Sequence, residues 1–173
     1  MSPFWRKSRK RGSPLVSPGV ADLTITLLPA RARCEVAGTA SRQRELTAAL
    51  RNAAADPPAG LHPWTEDADA IGWIRVLLVP VESDHDPTAV AVVSTDAGQL
   101  GWIPGSLSGD FRQMLAEYPR HHGNDSDIGA CPAYLHRPGE AQKQLALRVC
   151  CSWPDEVLGD LDQRATYTLP DRP

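Results

Sequence analysis

Thr88-Ala89-Val90-Ala91-Val92-Val93, then Asp96-Ala97-Gly98, then Gln99-Leu100-Gly101-Trp102-Ile103-Pro104: these three pieces decide the fold class. A β-branched run, a short glycine-containing loop and a second apolar run read as a β-hairpin. Ala89, Ala91 and Val93 point to one side of the first strand, and Val90 and Val92 to the other. Both sets are apolar. A strand of that kind is expected to be buried on both faces, as in a barrel wall overlaid by a helix.

Working outward, Ile71 to about Val81 reads as the preceding strand, with the polar turn Glu82 to Pro87 between them. After the hairpin, Leu107, Phe111, Met114 and Leu115 recur at helical spacing, which predicts a helix from about Ser106 to Tyr118, closed by Pro119. Ile128 to Leu135 and Gln144 to Trp153 read as two closing strands. Upstream, Ala21 to Leu28 is a weak strand, and Arg33-Cys34-Glu35-Val36-Ala37-Gly38 is a second that ends at Gly38. Ser41 then serves as N-cap for a helix from about Arg42 to Ala55, stopped by Asp56-Pro57-Pro58-Ala59-Gly60. A loop over 56–70 carries His62 and Trp64, and residues 154–173 are acidic and proline-bounded with weak structure. The expected class is α+β, mainly β: a small barrel or sheet with two helices.

Composition agrees with short elements and many turns. Sixteen prolines and thirteen glycines in 173 residues exclude a long helical bundle or coiled coil. With 42% apolar and 23% charged residues the chain can bury a core. The longest aliphatic stretch, Val76 to Val79, is far too short to span a membrane. The first residues turn basic with no apolar segment behind them, so they are not read as a secretory signal, and the expected location is cytoplasmic. Cys34, Cys131, Cys150 and Cys151 show no C-x-x-C spacing and read as buried thiols.

Charge is unevenly distributed. Arg6, Lys7, Arg9, Lys10 and Arg11 lie within residues 1–12 without an acid, while the whole chain carries −3. Residues 1–20 are expected to form a disordered basic arm on an acidic body. Such an arm binds nucleic acid or an anionic membrane surface, or is simply a solvated tail.

Motifs for phosphate cradles, dinucleotide folds, metalloproteases and serine hydrolases are absent from the sequence, so no cofactor is implied and the chain is read as a non-enzyme. Asp84-His85-Asp86 is the one constellation with chemical potential, as a metal or proton-relay cluster. That leaves a hydrolase or metal enzyme centred on His85 and Asp86 as a weak alternative. The competing reading is a turn, since Asp86-Pro87 matches the first two positions of a type I turn.

The block Val79-Pro80-Val81-Glu82-Ser83-Asp84-His85-Asp86-Pro87-Thr88-Ala89-Val90-Ala91-Val92, followed by Gly98-Gln99-Leu100-Gly101-Trp102-Ile103-Pro104 and Leu107, resembles the HIRAN domain family. Members carry a segment like N-P-Y/H-D-x-N-A-V-x-V, a hairpin, and a G-x-x-V/I-G-Y/H-L/I strand leading into a helix. Val36-Ala37-Gly38-Thr39 looks like the family's opening strand end. The resemblance spans roughly residues 33–153, about 70% of the chain, and is strongest over 33–115. It implies a HIRAN-like domain over 21–153 with an OB-like small β-barrel, two helices, and an acidic extension at 154–173. It also implies binding of single-stranded DNA or DNA 3′ ends, in DNA repair or replication, beside a protein partner such as a helicase or nuclease.

Carried over by position, Asp86 matches the family aspartate that bonds the terminal hydroxyl, and His85 stands where a tyrosine is common. Thr39 and Ser41 occupy the loop where DNA-binding members offer arginine and tyrosine, with Arg42 the nearest cation in sequence. Trp102 replaces the strand tyrosine, as base platform or barrel-wall aromatic. Ser83-Asp84 stands in place of Asn-Pro. Residues 33–153 hold ten basic and fifteen acidic side chains, a net of −5. A phosphate-tracking groove needs clustered positive charge. A positive groove would therefore favour DNA, and an evenly acidic barrel would favour a protein-interaction module that engages a basic partner.

Overall fold

The computed structural model describes residues 24–59, 69–82, 86–139 and 143–165. The basic arm, His85, His62 and Trp64 lie outside the described residues. The strands are β1 (Thr26–Leu27), β2 (Arg33–Glu35), β3 (Gly72–Pro80), β4 (Val90–Ser94), β5 (Gly98–Trp102), β6 (Gly129–His136) and β7 (Ala146–Cys150). The helices are α1 (Gln43–Arg51), α2 (Gly105–His121) and α3 (Pro154–Ala165). The strands follow the order β2-β7-β6-β3-β4-β5, antiparallel throughout, and β1 adds to β6 in parallel. The sheet curls into a half-barrel. Its two ends meet at one bridge, where Ala37, just beyond β2, exchanges hydrogen bonds of 2.8 and 3.0 Å with Trp102 of β5.

The hairpin has the expected double burial. Val90 and Val92 are fully buried, Ala89 and Ala91 nearly so, and Val93 is half-buried. The returning strand carries a bulge that its alternation does not show. Val92 pairs with Gly101 and Val93 with Gln99, which leaves Leu100 over. Leu100 and Ile103, three residues apart, therefore both enter the core, whereas a regular strand would turn one of them outward.

The concave side is filled by Leu46 and Ala49 of α1, Phe111, Met114 and Leu115 of α2, and Val76, Leu78 and Leu147 of the sheet. The outer side carries a smaller cluster of Trp73, Tyr134 and Cys150.

Three expectations are corrected. There are three helices, not two, because residues 154–165 form α3 rather than a weakly structured tail. Asp155 and Glu156 sit in its first turn, where the helix dipole favours acids, and Val157 and Leu161, four apart, are both buried. Ser41 is not an N-cap. It lies inside a 3-10 turn over Thr39–Arg42, its hydroxyl donates to the Gly38 carbonyl at 3.0 Å, and α1 starts at Gln43. Nor does Pro119 end α2. It sits buried in the last turn, where it forfeits one backbone bond. Its carbonyl accepts the Asn124 amide at 3.0 Å while Gly123, at φ +73°, donates to Arg120. That is a Schellman stop, which needs a glycine in the left-handed region.

All four cysteines are buried thiols, as expected. Burial, with Glu35 adding to it, pushes Cys34 up to about 11. Cys131 and Cys151 are also raised, by burial first and then by neighbouring thiols. A thiol kept protonated and out of solvent does not react. A colourimetric disulfide reagent at pH 8 should therefore label none of the four in the native protein within minutes, and all four in guanidinium. Fast labelling of the native protein would contradict this packing.

Candidate functional site

Among the described residues singled out from the sequence, Asp86 lies by the start of α2, and Thr39, Ser41, Arg42 and Trp102 lie by the Ala37–Trp102 bridge. The Asp86-Pro87-Thr88-Ala89 turn closes with the Ala89 amide donating to the Asp86 carbonyl at 3.2 Å. Asp86 Oδ1 accepts both the Thr88 amide at 2.9 Å and the Thr88 hydroxyl at 2.8 Å. The turn reading of Asp86 thus holds, through an Asx-type cap that a short carboxylate makes readily. The Thr88 hydroxyl also lies 2.9 Å from that of buried Ser108, which sits 3.1 Å from the Gly105 carbonyl. This chain of contacts ties the turn to the first turn of α2. That helix follows Pro104 with no side-chain cap and no acid in its first turn, and Gly105 and Ser106 are exposed. They stand at the positive end of a seventeen-residue helix, whose first amides have no partner within the helix.

Trp102 is half-buried between two strands, paired with Ala91 of β4 and bridged to Ala37. Gly38 follows at φ +75°, and a Cβ there would stand 3.3 Å from Trp102 Cδ1. Only glycine turns the chain so sharply against the indole. The 3-10 turn with Thr39, Ser41 and Arg42 comes next, with Thr39 and Arg42 half-buried and Ser41 exposed. The residue that holds this turn was not visible in the sequence. The Gln43 amide donates to the carbonyls of Thr39 and Leu145, both at 2.8 Å, and its oxygen accepts the Leu145 amide at 2.8 Å. Gln43 thereby staples the turn to the entry of β7. A glutamine beside a predicted helix start gives no hint of a partner a hundred residues away.

A second constellation, also not foreseen, lies on the outer face of the sheet. Glu35, Arg148 and Tyr134 are cross-strand neighbours on β2, β7 and β6. Glu35 Oε2 accepts from Arg148 Nε at 2.5 Å and Oε1 lies 3.0 Å from Nε2 of buried His136. The Tyr134 hydroxyl accepts from Arg148 at 3.2 Å and from Arg33 at 3.4 Å, and its ring lies 5.0 Å from that of Trp73. The Arg148 guanidinium is held above its ordinary value, first by its bond to Tyr134 and then, against desolvation, by Glu35. These bonds fasten β2 to the sheet, and so fix the strand that leads into Ala37 and Gly38.

Of the cations in this region, Arg33 and Arg148 are drawn to Tyr134 and Glu35, and Arg112 donates to the Val81 carbonyl at 3.0 Å. Arg42 ends the 3-10 turn and Arg44 follows in the first turn of α1. Among the described residues no group of three His, Cys, Asp or Glu side chains could hold a metal ion, and no helix is long and apolar enough to cross a membrane. His121 and His122 are both exposed at the end of α2, with the His122 ring 4.3 Å from that of Tyr118. Compared with known protein families, curated proteins and solved structures, the chain matches none.

Proposed function

We propose that this chain is a non-catalytic nucleic-acid-binding module that takes single-stranded DNA, and DNA 3′ ends in particular, on an OB-like barrel of HIRAN type. The family reading rests on the sequence block 79–107 and on a curled antiparallel sheet compatible with a small barrel. The observation that carries the site is the Ala37–Trp102 bridge. It sets the Thr39–Arg42 turn beside the one tryptophan of the hairpin, three residues before the start of α2. An aromatic for a base and helix-start amides for a phosphate are what a strand end requires. Asp86 contributes Oδ2, because Thr88 occupies Oδ1. A carboxylate oxygen accepts a bond from a 3′-hydroxyl and repels a 3′-phosphate. His85 and the basic arm (Arg6, Lys7, Arg9, Lys10, Arg11) supply a further ring and the long-range attraction. A place in DNA repair or replication, next to a helicase or nuclease, belongs to the same proposal.

Asp86→Asn tests it, since asparagine keeps the Asx turn while losing the charge. Melting should not change. Fluorescence anisotropy at low salt should show wild type preferring a 3′-hydroxyl over a 3′-phosphate end, and the variant binding both alike. Asp86→Ala should in addition lose about 0.5–2 kcal/mol of stability, as for a lost cap. Removing residues 1–12 should leave the melting temperature unchanged but weaken binding and flatten its salt dependence. If wild type binds no oligonucleotide at low salt, the acidic surface is the functional one and a basic protein partner replaces DNA.

A further inference from the structure

A cleft of about 370 Å³ opens at the far end of the hairpin from Asp86. Its origin is a gap in the pairing of β3. Trp73 is bridged to Ala54, and β4 takes up pairing only from Leu77, so among the described residues no strand lies beside Ile74 to Val76 on that side. The gap is walled by the C-terminal end of α1 and the hairpin tip. Asn52, Asp56, Trp73, Arg75, Thr95 and Asp96 line it. The tip is fixed by buried Ser94, whose hydroxyl accepts the amides of Asp96 and Ala97, both at 3.3 Å.

We propose that this cleft seats one nucleobase bearing an exocyclic amine, cytosine, adenine or guanine, of a strand whose end lies at the Asp86 end of the hairpin; the assignment rests on the nucleic-acid reading above. The volume suits a single base or nucleoside. Trp73, buried against Tyr134, closes the base of the cleft. The carboxylates of Asp56 and Asp96 are acceptors for an exocyclic amine, the contact by which acidic side chains select cytosine, and an amide such as Asn52 matches the paired donor and acceptor of adenine. Thymine would set its carbonyl oxygens against those carboxylates. With two acids and one arginine the cleft is unsuited to a phosphate, so the backbone of the strand stays outside it.

The sheet face between the two places provides the path. Trp102 pairs with Ala91 and Ala91 with Val79, and Val93 pairs with Leu77. By alternation Val79, Leu77 and Arg75 share one face. Val79, Leu77 and Val93 are half-buried and Arg75 is exposed. From Ala91 to Thr95 is about 14 Å of strand, within the reach of a few nucleotides.

The test uses short single-stranded oligomers of dC, dA and dT with 3′-hydroxyl ends, read by fluorescence anisotropy, with wild type and the double variant Asp56→Asn/Asp96→Asn. Wild type should bind dC and dA at least about fivefold more tightly than dT, the lower end of what one good base contact contributes. The variant should lose that preference, with its affinity for dT raised or unchanged and its melting temperature unchanged. Equal wild-type affinity for the three oligomers, or a preference that survives in the variant, overturns the cleft assignment and leaves the 3′-end reading standing if Asp86→Asn still relaxes the choice of end. Failure of wild type to bind any oligomer overturns both.

Discussion

A chain ending at Trp153 melts roughly 6–24 °C below the full-length protein. The loss comes from Val157 and Leu161, which are only 4% and 6% exposed. Burying a side chain of that size is worth about 1.5–3 kcal/mol, and for a chain of this length each kcal/mol moves the midpoint by about 2–4 °C. Val157 belongs to the main core, and α3 packs along α2, so truncation also opens the back of the helix whose first turn carries the candidate site. Thermal melts of the truncated chain beside Leu161→Ala decide the matter. Leu161→Ala should lose about 2–5 kcal/mol by itself. An unchanged melting point on truncation would mean that α3 rests on the domain without supporting it.

Gly101→Ala is the second large effect. A Cβ at this position would lie 2.5 Å from the Ala37 carbonyl oxygen and 2.5 Å from Val36 Cγ1. The first of these is backbone and cannot step aside as a flexible side chain would. The strand has to shift, at about 1–3 kcal/mol for forced overpacking. What moves is the bridge between Ala37 and Trp102, so the Gly38–Arg42 turn is displaced with it. The variant should fold with a lower melting point, and oligonucleotide binding should fall more than the stability loss explains. Gly98→Ala is the contrasting control. Its φ of +79° strains alanine, yet nothing lies within 4 Å of the added methyl, so stability falls while the bridge and binding remain.

Much of the fold is legible in the sequence where the deciding interactions are local. The hairpin 88–104 declares itself by alternation and by Asp96-Ala97-Gly98, and the Asp86 turn by the Asp-Pro pair. The end of α2 could have been placed correctly from Gly123, four residues beyond the proline that seemed to close it. What escaped depends on distant partners. The surplus residue Leu100 exists because β4 and the core both constrain it. Pro154–Ala165 looked too acidic to fold because buried Val157 and Leu161 make a faint pattern, sufficient only when α2 is there to receive them. Of the candidate site, Trp102, Thr39, Ser41 and Asp86 were named from the family resemblance. Gln43, Glu35 and His136 were not, since their roles arise from register between strands a hundred residues apart.

The meeting of the two sheet ends at Ala37 and Trp102 also bears on behaviour in concentrated solution. Intermolecular strand addition needs an unpaired border, and here the two ends of the main path are a three-residue strand and a five-residue strand that touch each other. The small parallel strand β1 is different. Among the described residues it pairs with β6 alone, and its neighbour Ile25 and its own Leu27 are 38% and 63% exposed. If this protein self-associates into fibres on heating, growth should start there, and a lysine in place of Leu27 should delay its onset without touching the rest of the sheet.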